Sequence, residues 1–276
     1  MSKFLAAILV LMSFATWAGP LVQFRTSLGN LDVELYEDKP VTVANFEQYV
    51  KTGLYQDLFF HRLVPGFIVQ SGGFVVGNAH TPSAAVYSVP TFGDITNEFN
   101  VGSRYSNTFG TIAMAKTAAG PDTANSQFFF NLANNSANLD NQNGGFTVFG
   151  HLLRGTNILN RFNFPASPTN HIYIYSYADP FSQLPFLRTN QTLDDLIYVD
   201  ISLLNVQVQQ TNTDWQISWN SVQGKTNIVE WTLLTNRPPI WTSLLLTNGT
   251  GSNMSVLDKS AGNTKRFYRV RVDYSH

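Results

Sequence analysis

The chain has 276 residues, a formal net charge of −1 and no Cys; 43% of its residues are hydrophobic and 13% charged, about half the usual ~25% charged share. This balance excludes a basic nucleic-acid face and a polybasic membrane patch. The lack of Cys removes disulfides, thiolate metal sites and a cysteine nucleophile. With 26 Asn and frequent Thr, the surface is expected to be polar through amides and hydroxyls rather than through charge.

The N-terminus reads Lys3, then an apolar run from Phe4 to Met12, then small residues ending Ala15-Thr16-Trp17-Ala18-Gly19. A positive start, a short apolar stretch and a small-residue exit predict an export signal over residues 1–19, cleaved after Ala18 or Gly19. The run is shorter than the ~20 residues of a membrane span. The mature protein is therefore expected to be exported, periplasmic or extracellular, with no membrane span.

Val22 to Thr26 and Leu31 to Tyr36 read as a hairpin with a Gly29-Asn30 turn, since Leu31, Val33 and Leu35 alternate with Asp32 and Glu34. Pro40-Val41-Thr42 opens a helix with Thr42 as N-cap, Val43, Phe46, Tyr49 and Val50 on its apolar face, and Gly53 as its stop. Further strands are expected at Leu58–Leu63, Phe67–Gln70, Thr111–Ala115, Phe128–Leu132, Val148–Leu153 and Leu196–Leu204, with a second helix at Asn157–Asn163. Many strands with two helices suggest a mainly β fold, a closed β-barrel with helices covering its ends.

The composition changes near Gln207. Residues 207–213 read as a polar linker. Beyond it, strands at Trp215–Trp219, Asn227–Leu233, Trp241–Leu246, Ser252–Asp258 and Arg266–Val272 alternate with turn signals. That spacing predicts a small β-sandwich over 214–276, with Trp231, Trp241 and Tyr268 as core aromatics.

The densest local signal is Phe60-His61-Arg62-Leu63-Val64-Pro65-Gly66-Phe67-Ile68-Val69-Gln70-Ser71-Gly72-Gly73. It is followed in order by Gly110-Thr111-Ile112-Ala113-Met114-Ala115, by Asn125-Ser126-Gln127-Phe128-Phe129-Phe130-Asn131, by Leu139-Asp140 and by Val148-Phe149-Gly150. Taken blind, His61 and His151 have no Ser or carboxylate partner in a motif, which argues against a triad. Gly72-Gly73 lacks the Lys-Ser/Thr of a phosphate loop and reads as a tight bend.

At these residues the chain resembles the cyclophilins, peptidyl-prolyl cis–trans isomerases, over Val22 to Leu204. The resemblance implies a cyclophilin-like domain over 20–206 that acts on proline-containing polypeptides without cofactor or metal. It implies Arg62 as the catalytic donor. Phe67, Ile68, Phe129 and Leu139 would wall a proline pocket, and Gln70 would bond the substrate backbone and orient Arg62. Ala115 and Lys116 would offer main-chain groups, Gln127 would line the neighbouring groove, and His61 would be structural.

The chain departs from the family in four places. Asn138 stands where many members carry Trp or Phe, which implies weak cyclosporin binding. Phe146 stands where His or Tyr is common, so it packs on substrate without bonding it. The stretch between Leu139 and Phe146 is long enough to shift. Tyr173 to Phe186 looks like an insertion. The last strand, Phe267-Tyr268-Arg269-Val270-Arg271-Val272, is similar to the end of a fibronectin type III or immunoglobulin-like module, a candidate for docking an envelope or extracellular protein. A competing reading makes the first domain a proline-peptide-binding scaffold with incidental turnover.

Overall fold

A computed structural model describes residues 19–273 except 166, 168, 205, 222–225, 234, 236–239, 251 and 263. Apart from Gly19, the expected export signal lies outside the described residues. The first part of the chain runs β1 (Leu21–Thr26), β2 (Gly29–Leu35), α1 (Pro40–Lys51), β3 (Leu58–Phe59), β4 (Arg62–Val64), β5 (Ile68–Ser71), β6 (Phe74–Gly77), β7 (Ala85–Ser88), β8 (Thr111–Met114), β9 (Phe128–Asn131), α2 (Ser136–Leu139), β10 (Val148–Arg154), α3 (Thr156–Arg161), β11 (Tyr173–Tyr175), β12 (Leu184–Phe186), a 3-10 turn at Leu193–Asp195 and β13 (Tyr198–Leu203).

One sheet runs in the order β4-β5-β9-β8-β10-β2-β1-β13-β3-β6-β7. The stretch expected as one strand at Leu58–Leu63 is broken: Phe60 donates to the Ile197 carbonyl and His61 to the Gln70 carbonyl. Its first half therefore pairs toward β13 and its second half toward β5. Because β3 and β4 are consecutive in the chain, this break brings the two ends of the ladder together and curls the sheet into a barrel. The β6–β7 hairpin extends from β3 outside that ring.

The barrel is filled by aromatic side chains. Phe24, Phe46, Phe128 and Phe130 are all fully buried. Phe24 meets Phe130 edge-on at 5.0 Å and Phe128 at 5.6 Å, a favoured aromatic geometry. The face of α1 carrying Phe46 and Tyr49 closes one end of this core. Helix α3, expected at Asn157–Asn163, spans Thr156–Arg161 and buries Leu159.

Two local expectations are corrected. The first hairpin turns at Ser27-Leu28 and not at Gly29-Asn30, since Thr26 pairs directly with Gly29. The Thr26 hydroxyl bonds the Gly29 carbonyl and accepts from the Leu28 N–H, which closes the tighter turn. Helix α1 begins at Pro40, so Thr42 sits inside the first turn instead of capping it. The free N–H groups of Val41 and Thr42 are taken by the Glu98 carboxylate at 3.1 and 2.7 Å. Beside it, the buried Lys39 ammonium donates to the carbonyls of Glu98, Val101 and Ser103. The cap comes from a distant loop, where an acidic group favours the positive end of the helix.

The remaining strands are β14 (Val206–Thr211), β15 (Asp214–Asn220), β16 (Thr226–Leu233), β17 (Thr242–Asn248), β18 (Asn253–Asp258) and β19 (Arg266–Asp273). They form two three-stranded sheets, β14-β15-β18 and β17-β16-β19. The sheets share a core of Ile217, Trp219, Val229 and Val270. The segment read as a linker is strand β14, paired with β15 from Val206↔Trp219 to Thr211↔Asp214; its run of Gln side chains is exposed, which gave it a linker's composition. Tyr268 packs on this core, whereas Trp231 and Trp241 lie half-exposed under arginines. The Arg266 guanidinium is 3.6 Å from the Trp231 ring centroid, and that of Arg269 is 4.0 Å from Trp241. Arg266 also pairs with the buried Asp258 at 2.6 Å.

Replacing Glu98 with Ala strips two acceptors from the first turn of α1. The expected cost is about 1–2 kcal/mol, read as a lower urea midpoint with an unchanged slope, and Glu98→Gln should recover part of it.

Candidate active site

Successive residues of a strand point to opposite faces. In β9, Phe128 and Phe130 enter the barrel core, so Phe129 must point out. The same holds for its neighbours: Val69 of β5 and Ile112 and Met114 of β8 face in, while Ile68 and Ala113 face out with Phe129. The cross-strand register then sets a row. Arg62 pairs with Gln70, Gln70 with Phe129, Phe129 with Ala113, and Ala113 with Val148. A cation, an amide and an aromatic ring therefore lie side by side on the outer wall, on adjacent strands.

The β4–β5 connection shapes one rim. Phe67 donates to the Val64 carbonyl at 3.0 Å, and Gly66 has φ of +71°. That is the turn in which proline fits the first central position and glycine the second. It turns the chain back so that Phe67 and Ile68 reach the site. At the other end of β5, a Cβ on Gly73 would meet the Gln127 side chain at 3.0 Å. The bend at Gly72-Gly73 leaves room for that glutamine.

Above the row lies a cavity of about 200 Å³ lined by Arg62, Phe67, Ile68, Gln70, Ala115, Lys116, Phe129, Leu139, Gln142 and Phe146. Gln127, the remaining residue expected at the site, stands behind it and accepts from the Gln70 amide at 2.7 Å. Phe146 packs edge-on against Phe129, with ring centroids 5.8 Å apart. The Lys116 ammonium lies 4.7 Å from the Phe146 centroid and donates to the carbonyls of Asn143 and Gly145. Burial pulls its pKa down to about 8, against the opposing charge of Asp122. The Ala115 N–H is taken by the Gln127 carbonyl, so its free main-chain group is its carbonyl.

Three expectations change here. Gln70 does not hold Arg62; its amide goes to Gln127, and the Arg62 Nε donates instead to Gln183 Oε1 at 3.0 Å. The stretch after Leu139 is held rather than free. Phe146 donates to Leu139, Gly145 to Gln142, and the Asn97 amide to the Gly144 and Gly145 carbonyls. Where an aromatic wall was missing at Asn138, Gln142 lines the cavity and bonds Asn138 at 2.7 Å. The spacing of these two, four residues apart, was the one signal in the chain that could have paired them.

A buried amide network fixes the wall from behind. Asn131 donates to Asn107 and Thr111 and accepts from Asn135. Asn135 reaches the Phe67 carbonyl, and Asn107 reaches Asp140 and the Phe146 carbonyl. Asn107 and Asn131 are fully buried. The asparagine excess is thus partly an interior framework, contrary to the expectation that it serves the surface alone.

His61 is buried beside the row. Burial lowers its pKa to about 4; the Arg62 charge pushes the same way, and a hydrogen bond with Gln127 opposes it. The imidazole is neutral at pH 7 and lies outside the cavity lining, in keeping with a structural place. Partial burial also lowers the Arg62 pKa from its usual value, but a guanidinium remains charged at any physiological pH. The lining contains two cations, no carboxylate and no Ser, Thr or Cys. Its residues can bind, orient and polarise a ligand, and the Lys116 ammonium is tied to the Asn143 and Gly145 carbonyls.

A family model described as cyclophilin type peptidyl-prolyl cis-trans isomerase/CLD matches residues 21–177. The chain belongs to this family. It is a cyclophilin and an isomerase of X-Pro bonds. It is 39% identical over 161 residues to a peptidyl-prolyl cis-trans isomerase of Acinetobacter baylyi, covering 57% of this chain and 80% of that one. With peptidyl-prolyl cis-trans isomerase A of Dickeya dadantii it shares 38% over 171 residues, covering 58% and 84%. Among solved structures, a Cryptosporidium parvum cyclophilin crystallised in the presence of the dipeptide Ala-Pro matches with a TM-score of 0.46 and 24% identity, over 67% of this chain and 99% of that one. The matched family region stops at Tyr177, between β11 and β12.

The cyclophilin core should lose stability in acid through His61. Between pH 6.5 and about 4 the unfolded chain holds more protons at this residue, so stability falls with pH across that window. The gap corresponds to about 3 kcal/mol. Denaturation midpoints taken across this range should show a shallower fall in His61→Gln than in the parent.

Proposed function

We propose that this cyclophilin speeds rotation about X-Pro bonds in exported polypeptides, with Arg62 as the donor that favours the twisted amide. The planar bond resists rotation by ~18–20 kcal/mol because of its partial double-bond character. At the transition state that resonance is lost and the prolyl nitrogen gains a free lone pair. A fixed cationic N–H aimed at this nitrogen stabilises the twisted state more than either planar form, which is differential binding without a covalent step. A millionfold gain needs ~8 kcal/mol, more than one charged hydrogen bond supplies. The rest falls to the walls: Phe67, Ile68, Phe129 and Leu139 hold the ring, while Gln70 and the Ala115 carbonyl anchor the backbone, and Phe146 packs over the ligand.

The observation that carries this reading is the row Arg62–Gln70–Phe129 along the rim of a cavity walled by Phe67, Ile68, Leu139 and Phe146, with no carboxylate, Ser, Thr or Cys among the described lining residues. Export is supported by the pattern of residues 1–19, and N-terminal sequencing of the secreted or periplasmic fraction would test it. A fibronectin type III or immunoglobulin-like role for the C-terminal sheets, docking an envelope or extracellular protein, is supported by the two packed three-stranded sheets. Weak cyclosporin binding is supported by the Asn138–Gln142 amide pair at the place of an aromatic wall; Asn138→Trp should tighten it in a calorimetric titration.

The direct test is NMR exchange or a protease-coupled assay on an Ala-Pro peptide. Arg62→Ala should lower kcat/KM by about 10²- to 10³-fold, while Arg62→Lys should retain only a small part of the parent rate, since an ammonium cannot present the same planar fork. Unchanged activity in Arg62→Ala would overturn the role given to this residue.

A further inference from the structure

We infer that Gln183, carried by the inserted β11–β12 hairpin, is the positioning residue for the Arg62 guanidinium. This rests on the Arg62 reading given above and extends it. The Arg62 Nε donates to Gln183 Oε1 at 3.0 Å, and this is the hydrogen bond the Arg62 side chain makes among the described residues. The geometry divides the guanidinium. Its Nε is engaged by Gln183, its terminal nitrogens make no hydrogen bond among the described residues, and Arg62 lines the cavity.

Gln183 is held on both sides of its own amide. Its backbone carbonyl accepts from the Leu63 N–H at 2.8 Å, which lays the returning arm of the hairpin along β4, the strand that carries Arg62. Immediately after it, Leu184, Pro185 and Phe186 are buried. Two residues before it, Phe181 packs on Phe74 at 4.8 Å and Phe59 at 6.2 Å. An apolar anchor on each flank and a backbone bond to β4 leave Gln183 little freedom. It therefore costs little further entropy to hold Arg62 in one rotamer.

The arrangement also explains what Gln70 does instead. With Nε served by Gln183, the Gln70 amide is engaged with Gln127 and its carbonyl oxygen remains for a substrate N–H. The insertion thus takes over a task that resemblance assigned to Gln70. A hairpin at the outer edge of the barrel, largely beyond the region shared with the family, becomes part of the apparatus that aims the cation.

The test uses the full chain and an Ala-Pro peptide, with Gln183→Met to keep volume and packing while removing the acceptor, and Gln183→Glu to restore an acceptor. Gln183→Met should lower kcat about tenfold with KM unchanged, because the lost interaction sharpens a donor used in the transition state. Gln183→Glu should recover most of that loss. In the NMR spectrum of the free protein, the Arg62 Nε–H signal should be protected from exchange in the parent and in Gln183→Glu, and lose protection in Gln183→Met. On an Arg62→Ala background, Gln183→Met should have no further effect.

A Gln183→Met protein with parent kcat and a protected Nε–H would overturn the inference while leaving the role of Arg62 standing. A kcat loss that persists in full on the Arg62→Ala background would also overturn it, as a structural effect unrelated to Arg62. An Arg62→Ala enzyme with parent activity would instead remove the reading on which the inference rests.

Discussion

A barrel wall is one residue thick, so each strand must send alternate side chains to opposite faces. Here the inner face has to be filled to close-packed density, and Phe24, Phe46, Phe128, Phe130 and Phe149 are buried in that core. That obligation determines what is available outside. Once Phe128 and Phe130 face in, Phe129 faces out; once Val69 faces in, Ile68 and Gln70 turn to the outer face of the wall. The active site is the outer counterpart of the core, and the register of β4, β5, β9 and β8 turns separate residues into a continuous row.

A site on an outer wall needs support that a core would otherwise provide. Two sets of polar groups supply it. Behind the pocket, Asn107, Asn131, Asn135 and Asp140 satisfy one another and tie the Phe67 and Phe146 main chains into one unit. Such a buried network rigidifies because an unmade bond in low dielectric is costly. Beside the pocket, Lys116 and Asn97 hold the carbonyls of the 143–145 stretch. The longer connection after Leu139 is therefore a built wall, with Gln142 in the lining and Asn138 bracing it. The β11–β12 hairpin adds support on the third side, where Gln183 bonds the Leu63 main chain of β4, the end of the hydrogen-bonded ladder, and reaches Arg62.

The two C-terminal sheets follow a different economy. Their shared core is small, with Ile217, Trp219, Val229 and Val270 at its centre. Below about 70 residues such a core gives little margin, and this chain has no Cys to staple it. Cation–aromatic stacking and ion pairing supplement it: Arg266 lies over Trp231 and bonds Asp258, while Arg269 lies over Trp241 and bonds Glu230. Asp258 also accepts from Tyr268 and Ser260. Burial alone would raise the Asp258 pKa, but these hydrogen bonds outweigh it and keep the carboxyl below its usual value. The low overall charge of the chain thus coexists with charges placed where they pack.

Local pattern was enough to mark β1, β2, β5, β8, β9, β10 and β13 but not β6, β7, β11 or β12; it also marked the Pro65-Gly66 turn and, through ordered motifs, the family and every lining residue except Gln142. These signals depend on near neighbours: alternation, turn chemistry and contiguous motif residues are all written within a few positions. What local pattern could not carry was pairing across distance. Glu98 caps α1 from 56 residues away, Gln183 meets Arg62 across 121 residues, and β14 became a strand only because β15 folds back on it. Each of these depends on which main-chain or side-chain polar groups end up adjacent after the barrel closes. The family resemblance assigns Gln70 to Arg62, but only the folded chain shows that the β11–β12 hairpin lies along that edge and that Gln183 takes the bond.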